Sequence, residues 1–143
     1  PFVTSSHCTV GSAILNGVPA QAIREIWGVA KIYETYVGAK QFEPDDPIFQ
    51  KIREIGEEYG ATTGRPRQCN WLNWNLLEKA ININGVTNLV INKVDVLRKV
   101  GEQKIIRDDD IYKFATMELM ENYIRENLKR GITVSFSSSK EII

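Results

Sequence analysis

The chain has 143 residues, of which 43% are hydrophobic and 25% are charged, as is typical of a globular domain. Eighteen basic and eighteen acidic residues cancel, so no overall field attracts nucleic acid or an anionic membrane. No apolar run approaches the roughly 20 residues of a membrane span, and Cys8 and Cys69 do not form a metal-ligand spacing. We therefore expect a cytoplasmic protein with reduced thiols and with neither nucleic acid nor a membrane as partner.

Two helices are predicted in the first part of the chain. Between residues 19 and 37, apolar residues recur at steps of three and four, which is typical of one face of an amphipathic helix. Two aspartates and a proline at 45–47 predict the start of a second helix, which ends near Gly60. Its buried stripe consists of Ile48, Ile52 and Ile55.

Residues 60–67 (Gly-Ala-Thr-Thr-Gly-Arg-Pro-Arg), here called the glycine-arginine loop, show no periodicity. The proline and the two glycines predict a loop, with unusual backbone angles at both glycines. The hydroxyls, the backbone N–H groups and the guanidinium groups of Arg65 and Arg67 suit a small anion with several charges, such as a dicarboxylate or a nucleotide. The alternative is a surface loop whose arginines pair with Glu57 or Glu58.

A helix and a strand are predicted after this loop. Asn70 or Asn73 caps the helix, and the Asn-Gly pair at 84–85 ends it, because glycine suits a left-handed C-terminal residue. The mostly apolar run at 86–91 is typical of a strand in a parallel sheet that is covered on both faces.

The last helix and the last strand are predicted near the C-terminus. Three aspartates at 108–110 indicate the start of the helix, as a cap rather than a metal site, and Gly131 ends it. Its stripe consists of Phe114, Met117, Met120, Ile124 and Leu128. Residues 132–136 form the final strand. Helices that alternate with short apolar strands predict an α/β fold with a largely parallel sheet flanked by helices.

The segment after the strand at 86–91 carries the motif Asn-Lys-x-Asp at 92–95. Ligands of open α/β sheets bind beyond the carboxyl ends of the strands. The carboxylate of Asp95 can accept two hydrogen bonds from the ring N–H and the exocyclic amine of guanine, and adenine offers no such pair on that edge. The stem of Lys93 can lie across the base, with its charge near the ribose or a backbone carbonyl. The alternative is a strand end whose lysine and aspartate are merely solvated.

The opening segment 4–11 is rich in hydroxyl groups, which suit phosphate oxygens but are equally typical of an ordinary loop. His7 and Cys8 are neighbours and would point to opposite faces of an extended segment, so we do not expect a catalytic pair. Core or interface positions are predicted for Trp27, Trp71 and Trp74.

Four segments, taken in order and with their spacing, resemble the adenylosuccinate synthetase family. They are residues 3–6, 37–38, 60–67, and 84–87 running into 93–97. The resemblance implies the C-terminal part of a P-loop-like nucleotide-binding fold. The family's N-terminal glycine-rich phosphate loop, with its catalytic aspartate and histidine and its magnesium ligand, has no counterpart in this sequence. We therefore expect residues 1–143 to be a single domain or a fragment that pairs with the missing N-terminal portion and is inactive alone.

The resemblance also implies an activity. The family's enzyme is a ligase of purine biosynthesis that joins L-aspartate to the 6-position of IMP through a 6-phosphoryl intermediate. GTP hydrolysis with Mg²⁺ drives the reaction. The family forms homodimers in which an arginine of the neighbour completes the nucleotide site.

By the same resemblance, each substrate has its own set of residues. IMP is bound by Thr4, Val37 and Arg65. Aspartate is bound by Thr62, Thr63, Arg65 and Arg67. GTP is bound by Arg67, Lys93, Asp95, Ser137 and Ser139. Neither a catalytic residue nor a metal ligand is implied within this chain.

Three departures from the family pattern leave the substrates open. The family usually has Asn-Thr at 7–8, Thr-Lys-Leu-Asp at 92–95 and a third arginine at Pro66. The short tail is similar to that of phage enzymes that make 2-aminodeoxyadenylosuccinate from dGMP, which is one alternative. Another is a GTP-binding module without ligase activity, and a third is a structural domain that retains only the fold.

Overall fold

A computed structural model describes residues 9–138. The helices are α1 (Gly11–Leu15), α2 (Ile48–Ile55), α3 (Trp74–Asn84), α4 (Val94–Val100) and α5 (Met117–Asn127), with a 3₁₀ turn at Ala20–Ala22. The strands are β1 (Trp27–Lys31), β2 (Tyr33–Tyr36), β3 (Gln68–Asn73), β4 (Asn88–Asn92), β5 (Gln103–Arg107), β6 (Asp110–Phe114) and β7 (Thr133–Phe136). None of the helices in this part of the chain is long and apolar enough to cross a membrane.

The strands form two sheets. In the first, β4 lies between β1 and β7, and both pairs are parallel. In the second, the order is β2-β3-β5-β6; β3 and β5 are parallel, while the two outer pairs are antiparallel. The predicted α/β fold with a parallel sheet flanked by helices is confirmed, and the mixed second sheet is an addition to it.

The core is one cluster that draws side chains from both sheets and from α2 to α5. Its largest fully buried members include Trp74, Tyr33, Phe49, Ile52 and Met120. Trp71 is also buried, as predicted, whereas Trp27 on β1 is 57% exposed and lies outside the core.

The predicted helix at 19–37 is wrong. Its second half forms β1 and β2, which pair with β4 and β3 respectively. This stretch is rich in Val, Thr, Tyr and Trp, which suit strands, and the pairing with distant strands outweighs the three-and-four spacing of its apolar residues. Gly28 also allows β1 to lie close to Val86, whose methyl carbons would be 3.1 Å from a Cβ at that position.

The helix predicted to begin at 108–110 is also wrong, because Asp108 and Asp109 form the turn between β5 and β6 and Asp110 is the first residue of β6. Asp108 and Asp109 have φ angles of 52° and 68°, and aspartate tolerates this left-handed conformation better than most residues. Helix α5 begins later, after Thr116, whose side chain accepts a hydrogen bond from the N–H of Leu119 at 3.3 Å. The predicted stripe is buried from Met117 onward, and Phe114 lies on β6.

The other helix ends follow local chemistry. The Asp46 carboxylate accepts a hydrogen bond from the N–H of Ile48 at the start of α2. This helix ends at Gly56 rather than at Gly60. The side chain of Asn73 caps α3, and Gly85 ends it with φ of 62°, both as predicted.

Candidate functional site

The motif at 92–95 lies where it was predicted, at the carboxyl end of a buried parallel strand. Strand β4 ends at Asn92, Lys93 adopts a left-handed conformation with φ of 65°, and α4 begins at Val94. The adjacent strand β7 ends beside the motif: the N–H of Val94 donates a hydrogen bond to the carbonyl of Ser137, the residue after β7, at 3.3 Å. The motif and Ser137 therefore share one edge of the first sheet.

A pocket of about 330 Å³ opens at this edge. Its lining includes Gly56, Glu57, Asn92, Lys93, Asp95 and Ser138, and we call it the edge pocket. Its volume is at the lower end of the range for small-ligand sites.

The polar groups of the edge pocket are arranged rather than merely solvated. Lys93 Nζ donates to the carbonyl of Gly56 at 2.8 Å. The Asp95 carboxylate is 32% exposed and lies 3.5 Å from Lys99 Nζ. Asn92 Oδ1 is buried and has no hydrogen-bond donor among residues 9–138. A buried acceptor without a donor is uncommon. The partly exposed carboxylate of Asp95 is the acceptor that a ligand in this pocket can reach.

Residues 60–67 form a loop, as predicted, and two backbone hydrogen bonds close it. The N–H of Gly60 donates to the carbonyl of Arg65 at 2.9 Å, and the N–H of Gly64 donates to the carbonyl of Gly60 at 2.8 Å. Gly64 has the expected positive φ, of 64°. Gly60 does not; instead, a Cβ there would lie 2.8 Å from Thr63 Oγ1.

The side chains of this loop have different environments. Thr62, Thr63 and Arg65 are exposed. The Arg65 guanidinium forms no ion pair among the described residues. Arg67 Nη1 donates to Glu58 Oε2 at 2.9 Å. One arginine therefore pairs with Glu58, as the alternative interpretation expected, but this glutamate is only 1% exposed and is not a surface residue.

Glu58 is the centre of a buried cluster that sequence reasoning missed. Lys31 Nζ lies 2.8 Å from both of its oxygens, and the Tyr33 hydroxyl donates to Oε1 at 2.8 Å. Burial by itself raises the pKa of Glu58, but the hydrogen bonds from Lys31, Tyr33 and Arg67 outweigh it and lower the net pKa. Burial, and then the bond to Glu58, raises the pKa of Tyr33. Lys31 and Tyr33 lie in the stretch that was wrongly predicted as a helix. Because of that error, their contacts with Glu58 were not predicted.

The cluster leads to a prediction about pH. Because the folded protein lowers the pKa of Glu58, its contribution to stability is complete above the unfolded pKa of about 4.3 and is lost as pH falls through the folded pKa. At pH 7, Glu58→Gln is expected to lower the free energy of unfolding by about 2 kcal/mol. The difference in the free energy of unfolding between the wild type and Glu58→Gln should become smaller in acid, as measured by urea unfolding between pH 3 and pH 7.

The control is Glu126→Gln on the exposed face of α5, which should change the free energy of unfolding by less than about 0.5 kcal/mol. A Glu58→Gln deficit that stays constant down to pH 3 would contradict the assignment.

Residues 56–58 connect the edge pocket to the glycine-arginine loop. The carbonyl of Gly56 holds Lys93, and two residues later the carboxylate of Glu58 holds Arg67. Between them Glu57 adopts a left-handed conformation with φ of 53°. The two predicted binding regions are therefore adjacent, on either side of one turn that follows α2.

Of the remaining predicted site residues, one lies near the glycine-arginine loop and others lie outside the described residues. Val37 directly follows β2, whose last residue Tyr36 pairs with Gln68, so Val37 and Arg67 lie at the same end of the β2–β3 ladder. Thr4 and Ser139, together with His7 and Cys8, lie outside residues 9–138. Ser138, which lies between the two predicted serines, lines the edge pocket.

Cys69 lies close to this region but is not a reactive group. It is fully buried, and burial raises the pKa of its thiol to about 12. The thiol is therefore protonated at neutral pH and is a poor nucleophile.

Comparison with known proteins agrees with this architecture. The family described as adenylosuccinate synthetase matches residues 1–128. The adenylosuccinate synthetases of Xanthomonas euvesicatoria pv. vesicatoria and Xanthomonas axonopodis pv. citri are each 49% identical over 108 residues. Each alignment covers 73% of this chain and 25% of the relative, so the chain spans about a quarter of the length of these relatives.

A solved structure agrees as well. The fully ligated adenylosuccinate synthetase from Plasmodium falciparum superposes with a TM-score of 0.66 and 32% sequence identity. The match covers 85% of this chain and 32% of that one. Sequence match, identity and fold agree, and the chain belongs to the adenylosuccinate synthetase family.

Proposed function

We propose that this chain is the aspartate- and guanine-recognising part of an adenylosuccinate synthetase, a ligase that joins L-aspartate to IMP with GTP hydrolysis and Mg²⁺. The observation that carries the proposal is the junction at residues 56–58, where the edge pocket and the glycine-arginine loop meet. GTP and aspartate both act at the 6-position of IMP, one by phosphorylating its oxygen and the other by displacing the phosphate, so their sites belong to one cleft. The junction at residues 56–58 supports such an arrangement.

GTP is assigned to the edge pocket. The partly exposed carboxylate of Asp95 has acceptor oxygens for the two N–H donors of the guanine edge. Lys93, whose Nζ is held by the Gly56 carbonyl, offers its apolar stem to the face of the base. Ser137 and Ser139 belong to the same site as groups that close over the base.

Aspartate is assigned to the glycine-arginine loop, with Thr62, Thr63, Arg65 and Arg67 as its ligands. The guanidinium of Arg65, which forms no ion pair within residues 9–138, and the guanidinium of Arg67, which is held by Glu58, can each pair with a carboxylate. For IMP, the main chain of Val37 and the side chain of Arg65 would contact the ribose, and Thr4 would bind the 5′-phosphate.

The phosphate chemistry is assigned to polypeptide outside the described residues. Within residues 9–138, no group of three or more His, Cys, Asp or Glu side chains is placed to hold a metal ion. In the family, the magnesium ligand belongs to the N-terminal phosphate loop. We propose that the family's N-terminal portion supplies it, that the complete enzyme is a cytoplasmic homodimer, and that this chain alone is inactive. The intact mass of the protein purified from its native source tests whether one polypeptide carries both parts.

The test of the proposed function is calorimetric titration of the chain with GDP and ADP. We expect GDP to bind at least about 10-fold more tightly than ADP, since adenine lacks the paired donors that Asp95 would accept. Equal affinities would contradict the proposal.

Competition in the complete enzyme then separates the alternatives. A GTP-binding module would ignore both IMP and aspartate. A synthetase of the phage type would be saturated by dGMP in place of IMP.

Arg67→Ala in the complete enzyme should raise the KM for L-aspartate by roughly 100-fold, because a charge-assisted pair worth about 3 kcal/mol is lost. The measurement is steady-state kinetics with aspartate as the varied substrate. The matched control is Arg98→Ala, which removes a half-exposed arginine of α4 that pairs with Glu118 and Glu121. It should leave this KM unchanged; an equal effect of both variants would refute the assignment of the loop.

A further inference from the structure

The structure contains a charged group that the proposed reaction does not use. Glu58 is 1% exposed, and an ionised carboxylate in such a position is costly unless it is paired and hydrogen-bonded. Three donors from two distant segments surround it, so its place in the fold is closely specified.

Glu58 holds Arg67 at two points. The N–H of Arg67 donates to the carbonyl of Glu58 at 3.0 Å, and Arg67 Nη1 donates to the Glu58 carboxylate at 2.9 Å. Independently, Arg53 Nε donates to the carbonyl of Arg67 at 2.7 Å. The main chain of Arg67 is therefore fixed by two bonds that do not involve the Glu58 carboxylate, whose own bond determines the direction of the guanidinium.

The donors in the cluster are used unequally. Lys31 Nζ is saturated, since it contacts both oxygens of Glu58 and also donates to Thr35 Oγ1 at 3.2 Å. Arg67 uses one nitrogen on Glu58, and its side chain is 33% exposed. Two cations share one carboxylate, so the three side chains together carry a net positive charge. The N–H groups of Arg67 that have no partner within residues 9–138 are the ones available to an anion.

We infer that Glu58 is a positioning residue: it orients the Arg67 guanidinium so that its unused N–H groups are presented to a ligand carboxylate. The inference rests on the proposed function for the identity of that ligand, L-aspartate. Orienting a fork of donors in advance reduces the entropy lost when the ligand binds, so the expected effect is on affinity.

The test is NMR spectroscopy of the full ¹⁵N-labelled chain, with the Arg67 Nε–Hε signal as the probe. In the wild type, this signal should show a rigid side chain and should respond to added L-aspartate in a saturable way. In Glu58→Gln, the side chain should become mobile and the affinity for aspartate should fall at least about 10-fold. Glu58→Asp, which keeps the charge, should retain part of the rigidity of Arg67 and part of the affinity for aspartate.

Two further variants make the result specific. Glu54→Gln removes an exposed carboxylate of α2 that accepts a bond from Gln50, and it should alter neither the mobility of Arg67 nor the affinity. Tyr33→Phe removes one hydroxyl donor from Glu58 and keeps the ring, and it should weaken aspartate binding by about 2- to 5-fold. If Glu58→Gln does not fold, Tyr33→Phe and Glu58→Asp decide the question.

The outcomes separate the two claims. An Arg67 signal that is equally rigid in wild type and Glu58→Gln overturns the positioning role, whatever binds. In a second outcome, Arg67 is rigid in the wild type and mobile in Glu58→Gln, but its signal does not respond to aspartate in either protein. This outcome supports the positioning role and contradicts the proposed aspartate site.

Discussion

Replacing Asp95 with asparagine is expected to abolish the proposed preference of the edge pocket for guanine over adenine. An amide presents a donor where guanine needs an acceptor, so one of the two hydrogen bonds is lost and its partner faces repulsion. The cost is about 3 kcal/mol, which corresponds to roughly 100-fold weaker binding of GDP. Calorimetric titration of wild type and variant with GDP and ADP measures both the loss and the preference.

The matched control is Asp109→Asn in the turn between β5 and β6. Asparagine tolerates the left-handed conformation that Asp109 adopts, with φ of 68°, so neither stability nor nucleotide affinity should change. If Asp95→Asn kept the wild-type ratio of the GDP and ADP affinities, the pocket would not recognise the base through this carboxylate.

Replacing Gly56 with alanine should damage both binding regions at once. A Cβ at this position would overlap the Tyr33 hydroxyl oxygen and would lie 2.8 Å from the carbonyl oxygen of Ile52. Relief of this overlap moves Tyr33 away from Glu58 and moves the Gly56 carbonyl away from Lys93. We expect the free energy of unfolding to fall by about 2–3 kcal/mol, together with weaker binding of both GDP and aspartate.

Urea unfolding followed by tryptophan fluorescence measures the stability change, and titration of the folded variant measures the affinities. Gly11→Ala is the control, because a Cβ at this position in helix α1 would meet Thr9 Oγ1 at an ordinary contact distance of 3.5 Å, with no closer atom among residues 9–138. Alanine should leave the stability unchanged or raise it slightly. A Gly56→Ala variant as stable as Gly11→Ala, with normal GDP binding, would show that residues 56–58 do not connect the two regions.

The local chemistry of single residues accounts for the elements that were predicted correctly. Asn73 and Gly85 determine the two ends of α3 through a side-chain cap and a left-handed residue, and both effects act over a few residues. The motif at 92–95 was predicted at a strand end because the apolar run before it is short and buried. Such signals are contained in neighbouring residues, so the sequence shows them directly.

The errors have a common origin in pairing between distant segments. Residues 27–31 have a helical spacing of apolar residues, but they become a strand because β4, about 60 residues later, pairs with them. The aspartates at 108–110 resemble a helix start, but the pairing of β5 with β6 places Asp108 and Asp109 in a turn and Asp110 in β6. Local propensity is weak compared with a row of interstrand hydrogen bonds and the burial that accompanies it.

By itself, the sequence determined the family, the α/β class, the glycine-arginine loop and the position of the Asn-Lys-x-Asp motif, because each depends on residue types at short spacing. Only the tertiary structure decided that Lys31, Tyr33 and Arg67 converge on Glu58. From the sequence alone, Glu58 is interpreted as a solvated surface residue, because it lies next to a loop. The fold excludes water from it. Burial is a property of the packed molecule, and it turns that glutamate into the residue that orients Arg67.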